Sequence, residues 1–161
     1  MYNKEYWIKG LNLLSHPEGG YFKENYRSTI KISIKELKEK RDLMTSIYFL
    51  LTSSNFSAFH RIKSDELWHF HDGDPLVVHS INKRGELQSR VLGKKISDGH
   101  QLQFVVNAGD WFASEVLEGG DYSLVGCTVA PGFDFTDFEL ADSKLQMQFP
   151  NHKALINRLT K

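Results

Sequence analysis

The stretch HRIKSDELWHFHDGDPL, His60–Leu76, sets three histidines and four acidic residues around one tryptophan. In an uninterrupted strand, Glu66, Trp68 and Phe70 share one face while Leu67, His69 and His71 share the other. With Trp68 and Phe70 turned inward, the interior would contain one carboxylate among aromatics, and His60 from the preceding strand is its expected partner. Burial of a carboxylate raises its pKa, whereas a nearby imidazolium holds it ionised. Either state suits proton transfer. Asp72 and Asp74, in the Asp-Gly-Asp-Pro turn, are expected to serve local backbone hydrogen bonds.

Outward from this stretch the chain reads as a succession of short segments rich in aromatic and β-branched residues: YFKENYRSTIKI, TSIYFLL, SAFHRI, PLVVHSI, ELQSRVL, QLQFVVN, DWFASEVL and YSLVGCTVA. Lys83, Arg84 and Gly85 form a hairpin loop in this reading, and SDGH at 97–100 closes another. Many short strands without interleaved long helices predict an antiparallel sandwich or barrel. An apolar stripe of Trp7, Leu11 and Leu14 predicts a helix over 4–14, with Asn3 as its cap. NHKALINRLT at the other end predicts a second helix, capped by Asn151.

The 161 residues suit one domain, 1–161. Twenty basic and twenty acidic residues cancel, and the run KELKEKR at 35–41 is interrupted by acids, as on a solvated loop or helix face. No nucleic-acid footprint is expected. The N-terminus MYNKEYWIKG lacks the apolar core of a secretory signal, and a lone Cys127 forms no internal disulfide. A cytoplasmic protein with no membrane partner is the expectation. Cys127, in the apolar YSLVGCTVA, is expected to act as a small hydrophobe and is left out of the site.

The order His60, Glu66, Gly73 resembles the first half of the cupin motif, and NAGDWF at 107–112 is similar to its second half. HPEGGYFKENYRS at 16–28, TSIYFLL at 45–51, FHRIKSDELWHFHDGDPL and VGCTVAPGFDFTDFEL at 125–140 together look like a branch of the cupin superfamily without settled function, the Cupin_5 or RmlC-like jelly-roll type. The resemblance implies an all-β double-stranded β-helix, or jelly roll, with flanking N- and C-terminal helices, and a homodimer. At three positions the chain departs from the metal-binding cupin pattern: Ala58 stands for a histidine, Asn107 for the proline and Phe112 for the second-half histidine.

Two readings of the site stay open. In the first, His60 is a base that Glu66 orients or charges, with no essential metal, in an isomerase or epimerase of sugar or nucleotide-sugar-like metabolites. In the second, a bulge near Asp65 turns His69 and His71 inward, and with His60 and Glu66 they supply donors for a divalent metal. A barrel that only binds a metabolite is a further alternative. Other ligand-contacting candidates are Tyr48, Trp111 and Phe112 as stacking surfaces, and Glu18, Tyr21 and Arg27 as a clamp for a carboxylate or phosphate. The competing partner for Arg27 is Glu24. Asp134, Asp137 and Glu139 are expected in turn or cross-strand contacts.

Overall fold

Inward alternation of Glu66, Trp68 and Phe70 is what the computed structural model of the chain shows, and it describes residues 2–35, 37 and 39–161. Part of the KELKEKR run, Glu36 and Lys38, lies outside the described residues. Strand β7 (Asp65–Gly73) buries those three side chains, while Leu67 and His69 are half-buried on the opposite face. The register with its neighbour slips by one residue only at His71, so the bulge falls at the last of the three histidines rather than near Asp65.

Strand β7 belongs to a six-stranded antiparallel sheet. Its order is β1 (Leu14–Ser15), β2 (Tyr21–Arg27), β5 (Thr45–Thr52), β12 (Tyr122–Ala130), β7 and β10 (Gln103–Val106). A second sheet runs β13 (Glu139–Leu140), β6 (Phe56–Arg61), β11 (Trp111–Val116), β8 (Leu76–Ile81) and β9 (Leu87–Leu92). Strands β3 (Lys31–Ile32) and β4 (Arg41–Asp42) form a small ribbon beside them.

The two large sheets share one core: Phe49, Trp68, Phe70 and Val125 of the first pack with Val78, Leu92 and Phe112 of the second. This is the expected jelly roll. Apolar burial of that kind is the dominant favourable contribution to folding.

Local departures from the sequence reading have identifiable causes. Helix α1 (Lys4–Gly10), capped by the Asn3 side chain on the Tyr6 N–H, ends four residues early because Leu14 pairs with Phe22 in the sheet. YFKENYRSTIKI breaks after Arg27, giving β2 and β3. SDGH closes no hairpin: the chain leaves β9 in one sheet and enters β10 in the other, beside β7. At the C-terminus, α2 (Leu145–Gln148) precedes a 3₁₀ turn at Pro150–His152, and α3 (Lys153–Arg158) follows, so Asn151 caps nothing. Among the described residues no helix is long and apolar enough to cross a membrane.

Candidate functional site

The loop HPEGG, 16–20, delivers the first group of the site. His16 N–H bonds the Gly20 carbonyl and Gly19 N–H bonds the His16 carbonyl, each at 3.0 Å. Gly19 and Gly20 both take positive φ, and a Cβ on Gly19 would overlap the Phe56 carbonyl oxygen. That close passage against β6 presses Glu18, its neighbour, into the interior, where it is 6% exposed.

There Glu18 meets His60. Its Oε2 lies 3.0 Å from His60 Nε2, and Ser57 Oγ donates to Oε1 at 2.9 Å. His60 Nδ1 is 2.7 Å from the Ala58 carbonyl, which can only accept, so Nδ1 carries a proton and both ring nitrogens are engaged. Burial pushes the His60 imidazolium pKa down, but the Glu18 charge and hydrogen bond, the Glu66 charge and the Ala58 carbonyl outweigh it, and the net direction is up. Burial likewise pushes Glu18 up, and the charge and hydrogen bond of His60 with the hydrogen bond of Ser57 bring it below the usual carboxylate value. The pair is an imidazolium bound to a carboxylate. Ser57→Ala is expected to cost about 1 kcal/mol in denaturant unfolding and to raise the Glu18 titration point read by carboxyl ¹³C NMR; an unmoved titration would detach Ser57 from the pair.

Glu66 enters the same cavity from β7 and has a different setting. Burial pushes its carboxyl up to about 7, helped by the Glu18 charge and opposed by His60 and by contact with Cys127. Cys127 shares the inward face of β12 with Val125 and Val129, and burial together with the Glu66 and Glu18 charges holds its thiol well above the ordinary value. It is a protonated neighbour of Glu66, not a nucleophile.

The cavity encloses about 250 Å³, with Phe22, Ile47, Phe133 and Phe135 as apolar walls and Glu24, Arg27 and Asp134 also lining it. Arg27 spends its donors on protein: Nε and Nη2 on Glu24 at 2.9 and 2.6 Å, Nη1 on Asp42 at 2.8 Å and on the Phe133 carbonyl at 3.3 Å. A second arginine, Arg41, is buried with Asp137 at 2.7 and 3.0 Å and anchors the segment after Asp134.

Of the residues singled out by sequence, Glu18, Arg27, His60 and Glu66 come together. Phe112 packs on the His60 ring with centroids 4.0 Å apart and supports it from the core. The others point elsewhere, for reasons of strand alternation. Tyr48 and His71 line a separate groove on the opposite face of the first sheet, beside Trp7 and Asp72. His69 is on that face too, within 2.9 Å of the Gln103 amide. Tyr21 packs near Leu50 and Leu124, and Trp111 lies among the C-terminal helix residues with Arg61 4.6 Å over its ring. His16, Ser57, Phe133 and Phe135 complete the site without having been singled out. Their signal was topological, since HPEGG and GFDFTDF reach the cavity only through the turns that carry them.

The donor set does not fit a cupin metal. Ala58 and Phe112 offer no ligand atom, His69 and His71 face away, and among the described residues no group of three or more His, Cys, Asp or Glu side chains is arranged to hold an ion.

Two antiparallel sheets closed around a cavity with a polar floor define a protein of the cupin class. The family described as "Cupin_5: Cupin superfamily (DUF985)" matches residues 5–141, and the chain belongs to it. A hypothetical protein from Leishmania major has 38% sequence identity and a TM-score of 0.92, covering 99% of both chains. A protein from Shewanella oneidensis has 41% identity and a TM-score of 0.91, over 100% of this chain and 99% of that one. An uncharacterized protein of Saccharomyces cerevisiae is 30% identical over 143 residues, 81% of this chain and 71% of its own length. An oxalate decarboxylase of Bacillus subtilis shares only the fold, at 18% identity and a TM-score of 0.56 over 90% of this chain and 36% of that one.

Proposed function

We propose that the chain is a small-molecule enzyme of the isomerase or epimerase type, working by proton transfer without a metal. The observation that carries this reading is the meeting, in one apolar-walled cavity, of a carboxyl group without a strong ionic bond and a fixed imidazolium–carboxylate pair. A group that titrates near the working pH is the best general acid and base. Glu66, pushed to about 7, has that property. His60 does not, since both its nitrogens are held by Ala58 and Glu18. The roles are therefore the reverse of the sequence expectation: Glu66 moves the proton, and His60 supplies fixed positive charge.

The step is an enolisation. The Glu66 carboxylate takes the proton from carbon next to a substrate carbonyl, the C–H electron pair forms the new C=C bond, and the carbonyl π pair moves onto oxygen. The imidazolium of His60 stabilises the negative charge that develops there. Glu66 exchanges its proton with water before giving one back: return to the same carbon after the enolate has turned its other face to Glu66 gives the epimer, and return to the neighbouring carbon, after the hydroxyl proton has shifted, gives the isomer. No atom is lost and nothing is oxidised.

The test is hydrogen–deuterium exchange at carbons next to carbonyls, followed by ¹H NMR in D₂O across uncharged aldoses, ketoses and aryl ketones. At least one compound is expected to exchange, and Glu66→Gln to slow that exchange by about 100-fold or more. Unchanged exchange in Glu66→Gln would sink the reading. Absence of exchange for compounds that raise the melting temperature would instead identify a binding protein.

A further inference from the structure

His16 is used by neither the acid–base pair nor the core, yet its side chain is only 8% exposed and it lines the cavity. The Glu18 backbone N–H donates to its Nδ1 at 3.3 Å. The same nitrogen lies 3.7 Å from Glu18 Oε1, too far for a hydrogen bond. A nitrogen that accepts from a backbone N–H carries no proton, so the ring is neutral and its proton sits on Nε2. Edge contacts with Phe22 and Phe49, at 4.5 and 5.7 Å between centroids, fix the ring's orientation. No hydrogen-bond partner for Nε2 is found among the described residues.

The rest of the cavity limits what that N–H can meet. Four carboxyl residues, Glu18, Glu24, Glu66 and Asp134, line it against Arg27 and His60. Arg27 has four of its five N–H donors on Glu24, Asp42 and the Phe133 carbonyl and its charge balanced by the two carboxylates, and His60 is bound to Glu18. Among the described residues lining the cavity each cation therefore already has a carboxylate partner, and an anionic ligand finds repulsion. The walls are aromatic and aliphatic. What fits is an uncharged molecule with an apolar arm and one oxygen acceptor.

We infer that His16 is a neutral N–H donor that receives the carbonyl oxygen of an uncharged carbonyl compound, and that it, rather than Arg27, fixes the ligand's orientation. The inference rests on the enolisation reading only for the use of this bond: a donor on the carbonyl oxygen holds the developing oxyanion from its neutral side while His60 acts by charge.

Two measurements on the full chain decide it. The first is the ¹H–¹⁵N correlation pattern of the His16 ring in labelled protein at about pH 7, expected to be the neutral Nε2–H tautomer. The second compares two probes of the same shape, acetophenone and α-methylstyrene, the latter lacking the oxygen. Acetophenone is expected to bind about five-fold tighter and to move the His16 Nε2 resonance, which α-methylstyrene leaves in place. His16→Phe is expected to equalise the two affinities; His16→Gln, which keeps an N–H, serves where the first variant does not fold, and is expected to retain part of the preference.

An imidazolium or Nδ1–H pattern overturns the inference. So do equal affinities in the wild-type protein, failure of both probes to bind, or an undiminished preference in His16→Phe. Proton exchange by Glu66 tests the enolisation reading separately. Its absence would leave the His16 result standing, and its presence with a failed His16 result would leave the enzyme without this donor.

Discussion

Glu66→Gln is expected to make the protein more stable than wild type at alkaline pH, and by a large margin. The carboxyl group of Glu66 has an ordinary value of 4.5 and is pushed to about 7 by burial, with the Glu18 charge adding to it. A raised value means that the folded state holds the proton more tightly than the unfolded chain. The corresponding stability is fully present below 4.5 and is lost as pH rises through about 7. At about 1.4 kcal/mol per pH unit, the gap amounts to up to about 3 kcal/mol. Glutamine keeps the shape without the charge and avoids that loss. Urea unfolding at about pH 5 and about pH 8.5 is expected to show the two proteins nearly equal in acid and the variant ahead in base. A variant equal to or weaker than wild type at the higher pH would mean that the ionised carboxylate is structurally required. Stability given up at one buried carboxyl group is the signature of a group kept for chemistry.

That signature was partly legible in ELWHFH. Period two alone places Glu66 with Trp68 and Phe70, and the structure follows it. The face of His71 was not legible, because the bulge there depends on the partner strand: Gly126 on β12 leaves room for the His71 ring, whose Nε2 stands 2.7 Å from where a Cβ would be. Alternation in YSLVGCTVA marks Cys127 as inward, and it is both the small buried hydrophobe that composition suggests and a wall of the cavity. At the N-terminus, Leu14 satisfies a helical stripe and is nevertheless 70% exposed in a strand pair, because sheet pairing overrides a short helix's periodicity. Arg27 and Glu24 are three residues apart and their ion pair could be anticipated. The contact between Glu18 and His60 could not, since a glycine turn far from the histidine makes it.

Glu18→Gln tests that contact, and its expected effect is comparable but opposite in pH dependence. The His60 pKa is raised in the folded state, so its contribution is fully present below the ordinary histidine value of 6.5 and is lost as pH rises through the folded one. Glu18 is lowered, so its contribution is present above 4.5 and is lost as pH falls through the folded value. Between those two ordinary values the pair is worth most. Removing one partner of a buried pair costs about 3 kcal/mol because the other is left without its counter-charge. In Glu18→Gln, burial of the His60 ring is opposed only by the Glu66 charge and the Ala58 carbonyl and is expected to drive its pKa below 6.5; the unfolded chain still takes up a proton there, so the deficit grows as pH falls from about 8 to about 5. The variant is expected to lie about 3 kcal/mol below wild type near pH 5 and to recover much of that near pH 8, where a neutral imidazole needs no partner. A deficit independent of pH would assign Glu18 a packing role only. A His60 titration unmoved in the variant would remove the charged pair, and with it the fixed positive charge that the enolisation uses.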